Sequence, residues 1–210
     1  MRIGAGVQKT IDTFQYMRGN VGVDRLLCKP VCFFMQGKFI RIGEDFLMAF
    51  IIRPAREEDT AAIFGMICEL ADYEKMSSDV VATEAMLRSE IFEKKSVEVL
   101  IGELDGTAVA FALYFYNFST FLGRRGLYLE DVFVRQPYRG RGFGRQMLHR
   151  LAERAVEQGC GRMEWSCLDW NEPSIKFYRS LGAEAMDQWT VYRLTGDKLI
   201  NFAKEEPKCQ

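Results

Sequence analysis

The sequence is poor in histidine, nearly neutral in charge and without long hydrophobic runs. His149 is the single histidine among 210 residues, which excludes a zinc site built from two or three histidines of one chain. Basic and acidic residues number 28 and 29, for a formal net charge of −1, whereas proteins that bind nucleic-acid phosphates are usually basic. The longest apolar run near the N-terminus, Val31 to Met35, is far shorter than the roughly 20 residues that cross a bilayer. We therefore expect no metal, no nucleic-acid partner and no membrane-spanning segment.

The cysteines form no CxxC pair, although the chain has six of them. An even number leaves disulfides open, but no secretory signal pattern is recognisable. Structural disulfides are rare in proteins of the reducing cytosol. We expect reduced thiols and a cytoplasmic location.

Residues 1–47 differ in character from the rest of the chain. This segment contains seven basic and four acidic residues, no serine and no sustained helical or strand period. It could be a flexible extension, a targeting peptide or translation from upstream of the functional start. A transit peptide should be rich in serine and poor in acids, so that alternative is disfavoured. We expect a dispensable N-terminal extension over 1–47 and one folded domain over 48–210.

From Phe50 onward, hydrophobic periodicity and turn residues predict a regular series of elements. Thr83 is suited to cap a helix, Asp105-Gly106 is a strong hairpin signal, and Gly159 is suited to follow the end of a helix whose inward residues include Val156. Strands are predicted at 50–52, 97–104, 107–118, 127–134, 162–168 and 190–194, and helices at 57–73, after Thr83, after Gly144 and after Pro173. The order β-α-α-β-β-β-α-β-α-β indicates an α/β (α+β) fold with a mixed sheet.

A glycine-rich turn between a strand and a helix is the main chemical signal. It runs from Arg139 through Gly140, Arg141, Gly142, Phe143 and Gly144 to Arg145. Unpaired N–H groups and the helix dipole favour anions at such a helix start, and glycines allow close approach of a phosphate. A pyrophosphate ligand is the natural interpretation. A dinucleotide site, with Asp169 as the ribose acid, fits poorly because the turn starts late and the glycine spacing is wrong; a simple tight turn remains the alternative.

These motifs, taken in order, resemble the GNAT superfamily of N-acetyltransferases. Arg139-x-x-Gly142-x-Gly144 is similar to the acyl-CoA loop, and 169–178 with Leu181-Gly182-Ala183 is similar to the second signature of that superfamily. Three further segments, 50–55, 69–74 and 127–134, resemble the spermidine/spermine (diamine) acetyltransferases. The resemblance covers nearly all of 48–210. It implies the GNAT fold, acetyl-CoA as co-substrate, a homodimer and acetylation of a small primary amine by direct attack.

The resemblance also implies roles for individual residues. Tyr178 matches the proton donor to the CoA thiolate, and Glu130 and Glu74 match acids that bind the amine and assist its deprotonation. The cofactor would be bound by the backbone of Val132, Phe133 and Val134, by the loop 139–145, and by Asn171, Pro173, Ser174 and Tyr178. The substrate would contact Tyr73, Glu74, Glu130, Glu164 and either Trp189 or Tyr192.

Three points remain open at the level of the sequence. Glu130 and Asp131 should face opposite ways because they are successive strand residues, so one would serve the substrate and the other the fold or the dimer. Glu164 stands where close polyamine enzymes have histidine, which leaves the amine uncertain. An acetyltransferase for an antibiotic or a protein N-terminus, or a non-catalytic acyl-CoA-binding module, is the alternative function.

Overall fold

The computed structural model describes residues 32–35, 38–41 and 49–205 of the chain. Strands β1 (Cys32–Met35) and β2 (Lys38–Arg41) pair antiparallel as a short hairpin. The rest of the predicted extension lies outside the described residues. The chain divides into two compact units, Met1–Glu164 and Trp165–Gln210, and each is described by itself.

The first unit is built on a sheet covered by helices. Its strands are β3 (Phe50–Pro54), β4 (Glu98–Leu104), β5 (Thr107–Ser119), β6 (Arg124–Val134) and β7 (Met163–Trp165, which reaches the boundary). Its helices are α1 (Thr60–Glu74), α2 (Glu84–Arg88, continued by a π-helical turn Ser89–Glu93) and α3 (Phe143–Glu157). The sheet order is β3-β4-β5-β6-β7, and β3 to β6 are antiparallel.

The strand β7 makes the sheet a mixed one, as the sequence predicts. Gly161 N donates to Arg125 O (2.9 Å) and Leu127 N donates to Arg162 O (3.0 Å). The two bonds advance in the same direction along both segments, so β7 runs parallel to β6, and α3 is the crossover between them.

Local turn and cap chemistry explains several element boundaries. Asp105 and Gly106 both have positive φ, 49° and 78°, as a two-residue type I′ hairpin requires. Thr83 Oγ1 accepts a hydrogen bond from Met86 N at 3.3 Å at the start of α2. Gly159 follows α3 with φ of 66°, the left-handed conformation that glycine adopts most easily. These three predictions are confirmed.

The sheet carries apolar side chains on both faces. On one face, Ile63 and Met66 of α1 pack with Phe111 and Leu113 of β5. On the other face lie Met147, Leu148, Leu151 and Ala155 of α3. Val156 is 78% exposed, so its predicted inward position is wrong. At about 100° per residue, Val156 lies on the opposite side of the helix from Met147.

The second unit contains two helices among its described residues. They are α4 (Glu172–Arg179) and α5 (Gly196–Lys204). The predicted strand at 190–194 is wrong, because that segment is irregular and exposed. High β propensity produces a strand only where another backbone supplies hydrogen-bond partners. The predicted strand 162–168 shortens to Met163–Trp165 for the same reason.

No helix in the described ranges has the length and apolar character needed to span a membrane.

Candidate active site

A β-bulge in β6 defines the centre of the site in the first unit. Val132 pairs with Ala112 and Asp131 with Leu113, but the next residue of β5, Tyr114, pairs with Leu129. Glu130 is therefore the extra residue of the bulge. Simple alternation of Glu130 and Asp131 across the strand, as the sequence predicts, does not hold here.

The bulge changes which face of the sheet each residue of β6 occupies. Residues directly opposite each other share a face. Leu129 is opposite Tyr114, whose hydroxyl donates to Glu98 at 2.9 Å on the side of α3, whereas Asp131 is opposite Leu113, which packs against α1. An acid is thus turned toward the apolar core that α1 covers.

Two other carboxylates, those of Glu74 and Glu130, lie within electrostatic reach of Asp131. Burial raises the pKa of Asp131 to about 6, and the negative charges of Glu130 and Glu74 add to the effect. Burial also raises the pKa of Glu74, which is the last residue of α1. We call Glu74, Glu130 and Asp131 the acid cluster. Such a cluster attracts an organic cation and contains groups able to take up a proton near neutral pH.

Asp131 is the member of this cluster that sequence reasoning did not assign to the substrate. Its signal was present, since an acid inside the apolar stretch 127–134 is unusual for a strand covered on both faces. The bulge decides which of the two adjacent acids turns inward, and it depends on the partner strand.

The predicted substrate residue Glu164 has partners of its own. Its Oε2 lies 2.8 Å from Arg162 Nε and accepts a hydrogen bond from Asn117 Nδ2 at 3.2 Å. This pairing offsets the charge that an amine would otherwise meet at Glu164. Its contact with the substrate stays a prediction.

The glycine-rich turn lies between β6 and α3, as predicted. Gly140 and Gly142 have φ of 77° and 82°, and apart from the two adjacent residues no atom lies within 4 Å of where a Cβ would stand on either. Gly142 is the residue before α3, so the first-turn N–H groups of the helix follow it directly. The turn offers backbone donors and open space to an anion.

Aromatic stacking fixes the start of α3 against the sheet. The rings of Phe143 and Phe50 are stacked, with centroids 4.0 Å apart and planes inclined by 5°. Phe143 is only 8% exposed. Of the predicted cofactor residues, Phe143 can therefore offer its backbone, while its side chain belongs to the core.

The edge of β6 next to β7 is the predicted binding edge for the cofactor arm. Val132 and Val134 pair with Ala112 and Ala110 of β5 on the other edge. The hydrogen bonds at Arg125 and Leu127 bring β7 alongside the first half of β6. Since β7 has three residues, it ends before it reaches the level of Val132–Val134.

In the second unit, the start of α4 is built by the predicted cofactor residues. Asn171 Oδ1 accepts a hydrogen bond from Ser174 N at 3.4 Å and so caps the helix. Pro173 occupies the first turn, where a missing N–H costs nothing. Asn171 is buried and its side chain caps the helix, while its contact with the cofactor stays a prediction.

Tyr178 lies near the end of α4 among aromatic side chains of the same unit. Its ring centroid is 5.2 Å from that of Trp165 and 5.6 Å from that of Phe177. Trp189 and Tyr192, the alternative substrate aromatics, are 72% and 92% exposed in the irregular segment before α5. The choice between them stays open.

No group of three His, Cys, Asp or Glu side chains within the described ranges is placed to hold a metal ion.

Comparisons with known proteins match the part of the chain that carries these features. A family model described as the acetyltransferase (GNAT) family matches residues 65–183. The chain is 36% identical over 169 residues to thialysine N-epsilon-acetyltransferase of Bos taurus, which covers 74% of this chain and 99% of that protein. It is 33% identical over 168 residues to spermidine/spermine N(1)-acetyltransferase-like protein 1 of Homo sapiens, which covers 75% of this chain and 24% of that protein. An integron cassette protein from the mobile metagenome of V. cholerae superposes with a TM-score of 0.64 at 27% identity, covering 74% of this chain and 98% of that one.

Proposed function

The chain belongs to the GNAT family of acetyltransferases and is an N-acetyltransferase of amines; from this premise we propose that its acceptor is a small cation carrying a primary amine. A diamine, a polyamine or a lysine-like amino acid fits this description. The proposal rests above all on the acid cluster, where the inward-facing Asp131 carries a pKa raised by burial and by the negative charges of Glu130 and Glu74. Relatives named for thialysine and for spermidine/spermine support the same class of acceptor.

The acid cluster suits the two tasks that an alkylamine imposes. At neutral pH the amine is an ammonium ion, which carboxylates attract. Before it attacks, the nitrogen must lose a proton, and a carboxylate whose pKa lies near the working pH is an effective acceptor. Asp131, with a pKa of about 6, and Glu74, with a raised pKa, fit this requirement better than an ordinary surface acid.

The residues of the glycine-rich turn fit acetyl-CoA, which supplies an acetyl group activated as a thioester. Gly140 and Gly142 leave room for a phosphate at a helix start, and backbone N–H groups there bind anions. Arg141 and Arg145 add positive charge. The edge of β6 at Val132–Val134, beyond the end of β7, would hold the pantetheine arm by backbone hydrogen bonds, and an N–H there would polarise the thioester carbonyl.

We propose that the Tyr178 hydroxyl donates the proton that the departing thiolate takes up. A phenol of pKa about 10 is matched to a thiolate of similar basicity. Its aromatic neighbours Trp165 and Phe177 restrict the ring. The mechanism is direct transfer from thioester to amine, without a covalent enzyme intermediate.

The two alternatives are less well supported. A protein N-terminus presents a single ammonium group, for which several neighbouring carboxylates are not required, and a polycationic antibiotic is favoured by no named relative of 30% identity or more reported above. A non-catalytic acyl-CoA-binding module would retain the glycine-rich turn, but the acid cluster and Tyr178 would have no task. A homodimer and a cytoplasmic location belong to the proposal as well, and light scattering and cell fractionation test them.

The first experiment is a thiol-release screen. Acetyl-CoA is incubated with the protein and putrescine, spermidine, spermine, lysine analogues or simple monoamines, against a blank without amine that corrects for the protein's own cysteines. We expect release with a diamine, a polyamine or a lysine analogue and less with a simple monoamine, which carries only one positive charge. Binding of acetyl-CoA without release for any amine would identify a binding module instead.

Tyr178→Phe tests the proposed proton donor. We expect kcat to fall by about 10²-fold or more, since general acid catalysis contributes about 10²–10⁴-fold, with the Kd for acetyl-CoA unchanged in calorimetry. The matched control is Tyr138→Phe, which removes a hydroxyl before the loop and keeps the ring that lies under Arg141. Equal kcat in the two variants would remove Tyr178 from the mechanism.

A further inference from the structure

Two arginines that follow β6 reach back to the last turns of α1. Arg135 Nε lies 3.0 Å from Glu69 Oε1. The guanidinium carbon of Arg139 lies 4.8 Å from the centroid of the Tyr73 ring. Glu69 and Tyr73 are four residues apart and therefore occupy the same face of the helix, one turn apart. The segment that leads into the glycine-rich turn is thus tied twice to α1.

The side chain of Arg139 makes contacts beyond its loop. Besides Tyr73, its guanidinium carbon lies 5.2 Å from the centroid of Phe133, and its Nε donates to Val134 O at 2.8 Å. A cation over two aromatic faces, with one N–H fixed on a strand carbonyl, has a defined orientation. Arg141, two residues later, lies over Tyr138, 5.7 Å from its centroid, and so contacts a neighbour in its own loop.

The position of Tyr73 bears directly on the acid cluster. Tyr73 precedes Glu74, the last residue of α1, so a shift of the helix end that carries Tyr73 also moves the Glu74 carboxylate. Asp131 and Glu74 interact, so such a shift also changes the surroundings of the inward acid. The contact between Arg139 and Tyr73 therefore joins the first residue of the cofactor loop to the proposed amine site.

We propose that Arg139 is a positioning residue that couples the two substrates by holding Tyr73, and with it Glu74, in register with the cofactor loop. This inference rests on the proposed function for the identity of the two ligands. Because coupling between two binding sites is reciprocal, acetyl-CoA bound at the loop should favour amine binding, and bound amine should favour acetyl-CoA to the same degree. If Arg139 only bound the pyrophosphate, its substitution would change the Kd for acetyl-CoA by the same factor whether or not Tyr73 was also replaced.

A double-mutant cycle with Arg139→Gln and Tyr73→Leu separates these cases. The readouts are the KM for the best amine of the screen, kcat, the Kd for acetyl-CoA by calorimetry, and Tm. We expect each single change to raise the amine KM by about threefold to tenfold, which is about 0.6–1.4 kcal/mol at 1.4 kcal/mol per tenfold and lies in the range of a cation–π contact. The double variant should be no worse than the poorer single variant, because both changes remove the same contact.

Two further variants serve as matched controls. In a Tyr73→Phe background, which retains the ring, Arg139→Gln should still raise the amine KM by the same factor. Arg141→Gln combined with Tyr73→Leu should instead give the product of the separate effects, since Arg141 lies over Tyr138.

Independent effects of Arg139→Gln and Tyr73→Leu would overturn the inference. So would a lower Tm with an unchanged amine KM, which would indicate a purely structural contact. If the wild-type protein binds acetyl-CoA but acetylates no amine, the proposed function fails. The Kd for acetyl-CoA is then the quantity compared across the same double-mutant cycle. There, non-additive effects would support the link between loop and helix, and additive effects would overturn it.

Discussion

At the scale of single residues, the environment of Asp131 differs from the one that its place in the sequence suggests. It stands beside Glu130 in the chain, yet the bulge turns it toward the face that α1 covers, opposite Leu113. Water is partly removed there, and two other carboxylates add negative potential. Both effects disfavour the ionised form and raise its pKa from 3.8 to about 6.

Asp131→Asn should therefore stabilise the ligand-free protein at alkaline pH. A carboxyl whose pKa is raised on folding contributes its full stability below the unfolded value near 3.8, and that contribution is lost as pH rises through about 6. The gain from Asn should approach about 3 kcal/mol at pH 8, at 1.36 kcal/mol per pKa unit, and should vanish near pH 4. Urea unfolding of both proteins at the two pH values measures it. A stability difference that is the same at both pH values would contradict this account of the site.

At the scale of elements, the turn between β6 and α3 combines an anchored ring with unrestrained glycines. Phe143 is held by Phe50 of β3, so the helix start has a fixed place on the sheet. Gly140 and Gly142 adopt positive φ with no neighbouring atoms at the Cβ position. The rigid helix start and the open backbone together suit a bulky anionic ligand.

Gly142→Ala and Gly159→Ala form a matched pair at the two ends of α3. Both glycines have positive φ, 82° and 66°, and open space at the Cβ position, so each substitution should cost about 1–2 kcal/mol of stability through backbone strain. Only Gly142→Ala should also weaken the binding of acetyl-CoA, by about tenfold or more, because its methyl group would lie where the phosphate approaches the backbone. Calorimetry with acetyl-CoA and thermal unfolding measure the two effects. Equal loss of affinity in both variants would exclude a specific role for the turn.

At the scale of the whole molecule, the similarity to acetyltransferases covers only part of the chain. The bovine thialysine acetyltransferase is matched over 99% of its length by 74% of this chain. The sheet of the first unit begins at Phe50. We therefore propose that 1–47 is dispensable for the reaction.

A chain beginning at Met48 should keep its Tm and its kcat/KM within about twofold, because every buried apolar side chain that the structure describes in the first unit comes from Phe50 onward. A chain beginning at Ala55 is the control. It lacks β3, which pairs with β4 and carries the Phe50 ring under Phe143, and it should lose affinity for acetyl-CoA. Loss of activity in the Met48 chain would show that the N-terminal segment contributes to the reaction.

The sequence by itself determined the elements whose signals are local. The hairpin at Asp105-Gly106, the Thr83 cap, Gly159 after α3 and the glycine-rich turn each depend on a few neighbouring residues, and each is found in the structure. The family could be identified for the same reason, since its motifs are short and occur in order. Tertiary structure decided the rest, because those features depend on residues distant in the chain. The register between β5 and β6 creates the bulge at Glu130 and turns Asp131 inward. Arg139 contacts Tyr73, which lies 66 residues earlier in the chain. The segment 190–194 forms no strand despite its composition, since a strand exists only where a second backbone pairs with it.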